Sequence, residues 1–223
     1  MTSILINLSD GTHVIRVIAY DNADNSAEDE IYVRVDTVPP TISITSPSNG
    51  TWFNTDTITV IWSVTEDNLD RVEIYVDGSL VSTASPEQNN VTISVSDGYR
   101  IIEVKAYDKA GNMDSDAISI YIDTTPPTVN ITSPSDGDKF VVGSNVSVTW
   151  NVTDNLGVAT VRLYINGTLK YECSGSGSYT ISFSDTGRYV ITIVAIDNAN
   201  NRAEDSITIE ITEKVTTTTT TAA

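Results

Sequence analysis

The chain has 223 residues, with 12 Lys and Arg against 30 Asp and Glu, a formal charge of −18 and a pI near 4.1. That balance argues against a nucleic-acid backbone or an anionic membrane surface as partner, since both need a basic footprint. One Cys and one His leave no material for a disulfide framework, a four-cysteine metal site or a His-rich zinc cluster.

Residues 1–38 are best understood from what recurs later. Ala19-Tyr-Asp-Asn-Ala-Asp-Asn25 returns as Ala106-Tyr-Asp-Lys-Ala-Gly-Asn112 and as Ala195-Ile-Asp-Asn-Ala-Asn-Asn201. Ile4, Ile6, Leu8 and Asp10-Gly11 fall 87 residues before Val91, Ile93, Val95 and Asp97-Gly98. The stretch therefore reads as the last third of a domain: three strands whose apolar face, Ile4, Ile6, Leu8, Ile15, Val17 and Ala19, has no opposite sheet. Met1–Asp10 lacks the basic start and apolar run of a signal peptide, and no run approaches the roughly 20 apolar residues of a membrane span. Those two features favour a fragment of a longer protein; the alternative is a partner that completes residues 1–35 by strand addition. His13 falls in register with Arg100, which places it on the wet rim of a sandwich rather than in a catalytic role.

Residues 39–125 form the first full copy. It opens with Pro39-Pro40, which cannot continue a ladder and favours extended backbone. Ile58, Val60, Trp62 and Val64 alternate with polar or outward residues, as do Val72, Ile74 and Val76, and Ile102, Val104 and Ala106. A period of two is the signature of half-buried strands, and no window of ten or more residues reads as an amphipathic helix. Asp77-Gly78 is a two-residue hairpin signal. Trp62 is expected in the core; Trp52 has no aromatic counterpart in the next copy and is expected to be partly exposed at the end of the sandwich.

Residues 126–212 repeat the scheme. Asp36-Thr-Val-Pro-Pro-Thr-Ile-Ser-Ile-Thr-Ser-Pro-Ser-Asn-Gly50 is answered by Asp123-Thr-Thr-Pro-Pro-Thr-Val-Asn-Ile-Thr-Ser-Pro-Ser-Asp-Gly137. Val146, Val148, Trp150 and Val152, then Val161, Leu163 and Ile165, then Ile191, Ile193 and Ala195 occupy the matching inward positions, and Asn166-Gly167 the matching turn. About seven short strands per copy imply an all-β chain of tandem immunoglobulin-like sandwiches, two complete and one partial, without the usual disulfide. Such beads joined at short proline linkers make a rod rather than a globule. Cys173 has no equivalent in the preceding copy and reads as a free thiol near a loop. Residues 213–223 form a Thr-rich tail, with a six-threonine run at 216–221 that suits a linker or an O-glycosylated stalk.

The order Ile-Thr-Ser-Pro-x-x-Gly, a Trp strand, an acidic loop, Val-x-(Ile/Leu)-Tyr-(Val/Ile)-(Asp/Asn)-Gly and Ala-x-Asp-x-Ala-x-Asn resembles the bacterial and archaeal Ig-like tandem repeats of secreted and cell-surface proteins, over residues 1–212. The resemblance implies a non-catalytic module of the sort found in surface-layer proteins, adhesins and accessory regions of secreted hydrolases. It does not imply a ligand, because sites are grafted onto folds.

The recurrent acidic loops are the leading candidates for a site. The loop after the Trp strand (Asp67; Asp154), the loop before the last strand (Asp108 and Asn112; Asp197 and Asn201) and the incoming linker (Asp36; Asp123) are expected at one pole. Oxygen donors on three segments suit Ca²⁺, which takes about 6–8 oxygen ligands. The competing explanation is that these side chains cap turn backbone groups. Asn-x-Ser/Thr sequons at Asn7, Asn49, Asn90, Asn130, Asn145, Asn151 and Asn166 are glycosylation candidates. The carboxylates sit in polar turns, where a general acid's raised pKa is not expected, so no enzymatic constellation emerges. Two functions remain open: an extracellular spacer or adhesion segment meeting a protein or glycan at the cell surface, or an accessory polysaccharide-binding segment of a secreted hydrolase.

Overall fold

The computed structural model describes residues 3–214, and the chain separates into two compact units. The first draws on residues up to Asn49 with Thr59–Ile93 and Ile101–Ser119; the second on Gly50–Ile58, Ser94–Arg100 and the residues from Ile120 onward. Every regular element among the described residues is a β-strand. The Thr-rich run at 216–221 lies outside the described residues.

The N-terminal stretch is a two-stranded antiparallel ribbon, β1 (Gly11–Tyr20) and β2 (Ser26–Val35), paired from Gly11 with Val35 to Tyr20 with Ser26. The middle copy contributes β3 (Thr41–Ser46), β4 (Thr51–Phe53), β5 (Thr57–Thr65), β6 (Leu69–Val76), β7 (Ser79–Ala84), β8 (Asn90–Ser94), β9 (Gly98–Asp108) and β10 (Met113–Ile122). The last copy contributes β11 (Thr128–Ser133), β12 (Lys139–Val141), β13 (Asn145–Thr153), β14 (Val158–Ile165), β15 (Thr168–Cys173), β16 (Gly177–Ser182), β17 (Gly187–Asp197) and β18 (Arg202–Thr212). Strand order is the same in both: β3-β5-β8 and β4-β10-β9-β6-β7, then β11-β13-β16 and β12-β18-β17-β14-β15. Each copy thus has one strand more than expected. The addition is the three-residue β4 or β12, parallel to the last strand of its copy and too short for alternation to reveal.

The same register explains a correction at the N-terminus. Three strands were expected from residues 1–35, but residues 3–9 form none, and Ile4 and Ile6 are 85% and 47% exposed. Their counterpart in the middle copy is β8, which hydrogen-bonds only to β5, in the three-stranded sheet. Residues 1–35 contain no copy of β5. A strand's N–H and C=O groups need a neighbouring ladder, so the segment has nothing to pair with.

The alternation of apolar residues becomes burial where an opposing sheet exists. Ile58, Val60 and Trp62 of β5, Val72 and Ile74 of β6, and Ile102, Val104 and Ala106 of β9 are each buried. In the last copy, Val146, Val148 and Trp150 of β13 pack with Val161 and Leu163 of β14, Ile191 and Ile193 of β17, and Ile209 and Ile211 of β18. Each such large side chain contributes roughly 1.5–3 kcal/mol on leaving water. The Trp150 indole N–H also donates to the Gly175 carbonyl at 3.0 Å.

Turn chemistry sets the hairpins. Asp77 and Gly78 (φ 50° and 79°) join β6 to β7, and Asn166 and Gly167 (φ 48° and 76°) join β14 to β15. The first turn residue also ties the hairpin to the next strand: Asp77 Oδ1 accepts the Ile101 N–H at 2.9 Å, and Asn166 Oδ1 accepts the Val190 N–H at 2.8 Å. Acidic residues further satisfy edge backbone, with Asp116 accepting the Ile44 N–H and Asp205 the Ile131 N–H, both at 2.8 Å. Part of the chain's acidity therefore serves to close sheet edges.

Candidate functional site

The acidic pole of the last copy is assembled from three segments. At the end of β17, Asp197 is 1% exposed; its Oδ1 accepts the N–H groups of Ala199 and Asn201 at 2.8 and 2.9 Å, and its Oδ2 accepts the Asn201 side-chain amide at 2.7 Å. On the loop between β13 and β14, half-buried Asp154 uses Oδ1 to accept the N–H groups of Leu156 and Gly157 at 2.9 and 2.7 Å. Gly157 is required there: its φ is 112°, and a Cβ would lie 3.3 Å from the Asn198 amide nitrogen.

The third segment is the chain entering the copy. The Asp123 N–H donates to the Phe53 carbonyl at 2.8 Å, its own carbonyl accepts the Asn201 side-chain amide at 2.7 Å, and its Oδ1 accepts the Thr125 N–H at 3.3 Å. Asp123 is fully buried. Asp123, Asp154 and Asp197 each bring a carboxylate oxygen to within 4.8 Å of the others. Two buried oxygens, Asp123 Oδ2 and Asp154 Oδ2, have no hydrogen-bond partner. Burial is the main cause that pushes the Asp123 carboxyl above the usual range, and the charges of Asp154 and Asp197 add to it; the amides of Thr125 and Asn155 act the other way.

The equivalent pole of the middle copy shares the turn geometry and differs in charge. Asp108 is buried; its Oδ1 accepts the Asn112 N–H at 2.8 Å and its Oδ2 the Asn112 side-chain amide at 2.7 Å, while that amide also reaches the Asp36 carbonyl at 3.0 Å. Burial acts to raise the Asp108 carboxyl, but the hydrogen bonds from Asn112, Gly111 and Ala110 outweigh it and hold it below the ordinary value. Asp67 is exposed and lines a hollow with Asp36 and Asn68; Glu66 takes the place of Asp154, its carboxylate accepting the Asn68 N–H at 2.8 Å as Asp154 accepts that of Leu156. Counted from the preceding Trp, Glu66 and Asp154 hold the same position, so matching Asp to Asp selects the wrong residue; it is the last loop that is one residue longer. Cations also enter: Arg34 and Lys109 line a hollow with Asp36 and Asn68, and Arg34 donates to Asn68 Oδ1 at 2.5 Å.

Of the eight acidic and amide candidates, the structure brings Asp123, Asp154, Asp197 and Asn201 together, and Asp36, Asp108 and Asn112 together, with Asp67 exposed in a hollow beside Asp36. The turn-capping role holds for Asp108, Asp154 and Asp197 alike; among the described residues, orphan buried oxygens remain beyond it in the last copy, at Asp123 and Asp154. Asn7, Asn49, Asn90, Asn130, Asn145, Asn151 and Asn166 all have exposed side chains. His13 Nε2 donates to the Ser9 carbonyl at 2.6 Å, the same loop contact that Arg100 makes to the Ser96 carbonyl at 3.0 Å. Cys173 is a free thiol bonded to the Gly175 carbonyl at 3.3 Å. Trp62 is core; half-buried Trp52 stacks on Tyr121 with ring centroids 4.3 Å apart. No helix of the described residues is long and apolar enough to cross a membrane.

Comparison with known proteins follows the copies. Residues 127–209 match the bacterial Ig domain family, and residues 40–124 match domain B of glucodextranase. Exoglucanase B of Cellulomonas fimi is 28% identical over 197 residues, 80% of this chain and 17% of the relative. A chitinase of Paenibacillus xylanexedens is 33% identical over 93 residues (40% and 17%), and bacillopeptidase F of Bacillus subtilis is 26% identical over 144 residues (64% and 10%). The chain thus spans under a fifth of these relatives' length. Among solved structures, a three-Ig segment of titin aligns over 92% of this chain and 75% of its own, with a TM-score of 0.54 and 13% identity, a likeness of fold alone. Family matches on both full copies, the doubled strand order and the shared turns together establish the chain as a tandem array of immunoglobulin-like domains, the last of which matches the bacterial Ig domain family.

Proposed function

We propose that this chain is a non-catalytic spacer segment of a secreted or cell-surface protein, holding other parts at a set separation. The observation that carries the reading is the built grip on each incoming segment. Asn112 holds the Asp36 carbonyl and Asn201 holds the Asp123 carbonyl, each by an amide already fixed on a buried aspartate. A linker meant only to connect has no need of a repeated, buried anchor; a linker meant to hold a set direction does. The proline pairs beside each anchor remove backbone donors and restrict φ, which serves the same end.

A second reading has its own support. Two of the relatives are named for polysaccharide-degrading activities, an exoglucanase and a chitinase, and an accessory segment of such an enzyme has reason to hold polysaccharide. Incubation of the purified chain with insoluble cellulose and chitin separates the two. The spacer stays in the supernatant at all loadings. Saturable retention on either solid overturns the spacer reading in favour of a binding module.

A further inference from the structure

The geometry points to a Ca²⁺ site in the last copy, held by Asp123, Asp154 and Asp197, that the equivalent pole of the middle copy does not share. This goes beyond the spacer reading and does not depend on it. The first support is the pair of orphan oxygens. Asp123 is fully buried and its Oδ2 has no partner, and the same is true of Asp154 Oδ2. Turn capping accounts for Oδ1 of both residues and leaves Oδ2 over. A buried carboxylate oxygen without a donor carries a desolvation cost that something must offset.

The second support is spacing. Oxygens from three carboxylates within 4.8 Å of one another repel when bare, whereas one ion about 2.3–2.6 Å from each satisfies all three. The donor set is all oxygen, with neither His nor Cys, which selects a hard cation. Ca²⁺ tolerates irregular geometry and completes its shell with water, while Mg²⁺ demands a near-ideal octahedron.

The third support comes from comparing the copies. Arg34 and Lys109 stand at the middle pole beside Asp36 and Asn68. The matching residues of the last copy, two before Asp123 and one after Asp197, are Tyr121 and Asn198. No salt bridge among the described residues includes Asp123, Asp154 or Asp197. The middle copy supplies its positive charge from side chains; the last copy takes it from solution.

The test is calorimetric titration of the whole chain, stripped with chelator, with CaCl₂ and in parallel with MgCl₂. The expected result is one Ca²⁺ per chain, with a Kd at or below the roughly 10⁻⁴–10⁻³ M of extracellular calcium modules, weaker binding of Mg²⁺, and a calcium-dependent rise in melting temperature. Asp154→Asn weakens binding by at least about tenfold, the loss seen even for outer partners of metal ligands, while Glu66→Gln leaves it unchanged. Absence of both heat and melting shift at calcium well above that range overturns the site. So does unaltered binding in Asp154→Asn, or an equal loss in Glu66→Gln. Should Asp154→Asn fail to fold by circular dichroism, hydrogen exchange of the Thr124 and Thr125 amides in the native chain decides: slowing by calcium supports the site, and no change overturns it. Polysaccharide retention, which tests the spacer reading, has no bearing on any of these outcomes.

Discussion

Replacing Asn201 by Ala removes an amide that donates at 2.7 Å to both the Asp123 carbonyl and Asp197 Oδ2. Asp123 and Asp197 are 0% and 1% exposed, so neither acceptor recovers a bond from water. An orphaned buried acceptor costs about 1–3 kcal/mol, toward the upper end for a carboxylate. The backbone N–H of residue 201 still reaches Asp197 Oδ1, so the turn itself survives. The two losses together come to about 3 kcal/mol, which for a domain of this size lowers the melting temperature by about 12–24 °C. Urea unfolding in the presence of chelator, followed through the fluorescence of Trp150 in the core of the same copy, measures it. Asn112→Ala, with the same pair of bonds at the middle pole, follows the same direction. Asn25→Ala is the control: it stands in the same motif and bonds Asp21, but every residue there is exposed and the loss is made good by water. An Asn201→Ala chain within about 0.5 kcal/mol of the parent, the range of ordinary surface changes, would refute the reasoning.

Three further outcomes are expected. Trp150→Ala empties the centre of the last core and breaks the bond to Gly175, costing about 3–5 kcal/mol in urea unfolding. Gly167→Ala forces a Cβ into a backbone at φ 76° with no steric obstacle nearby, so its cost is the conformational penalty alone, about 1–2 kcal/mol by the same assay. Tyr75 donates to Glu73 at 2.7 Å, and that bond raises its phenol from 10.0 to about 12. Because the folded value lies above the unfolded one, the contribution is complete below pH about 10 and is lost as pH rises through about 12. Tyrosinate absorbance against pH reads this directly, and Glu73→Gln moves the Tyr75 midpoint back down.

Where prediction and structure diverge, the cause is pairing that a sequence does not record. Residues 4–8 carry the alternation of a strand, yet they form none, because alternation reports only which face a strand would bury, and hydrogen bonding needs a neighbour. β4 and β12 are strands by virtue of their parallel partners, and three residues hold too little pattern to announce them. At the acidic poles, Glu66 follows its Trp by four residues, as Asp154 does, and fills the place expected of Asp67: register from the strand outweighs the match of residue type.

The all-β architecture, the doubled copy and its inward faces are legible in the residues alone, because these depend on local rules: a period of two, turn residues that tolerate positive φ, and repetition of both. The sequence also marks Asp123, Asp154, Asp197 and Asn201 as residues of one pole. The sealing of Asp123 from water with an oxygen unused, and the gathering of Arg34 and Lys109 beside Asp36 and Asn68, appear only once the chain is folded. Burial and charge balance are properties of segments brought together from across the chain, and the free energy of a carboxylate depends on what those segments place beside it.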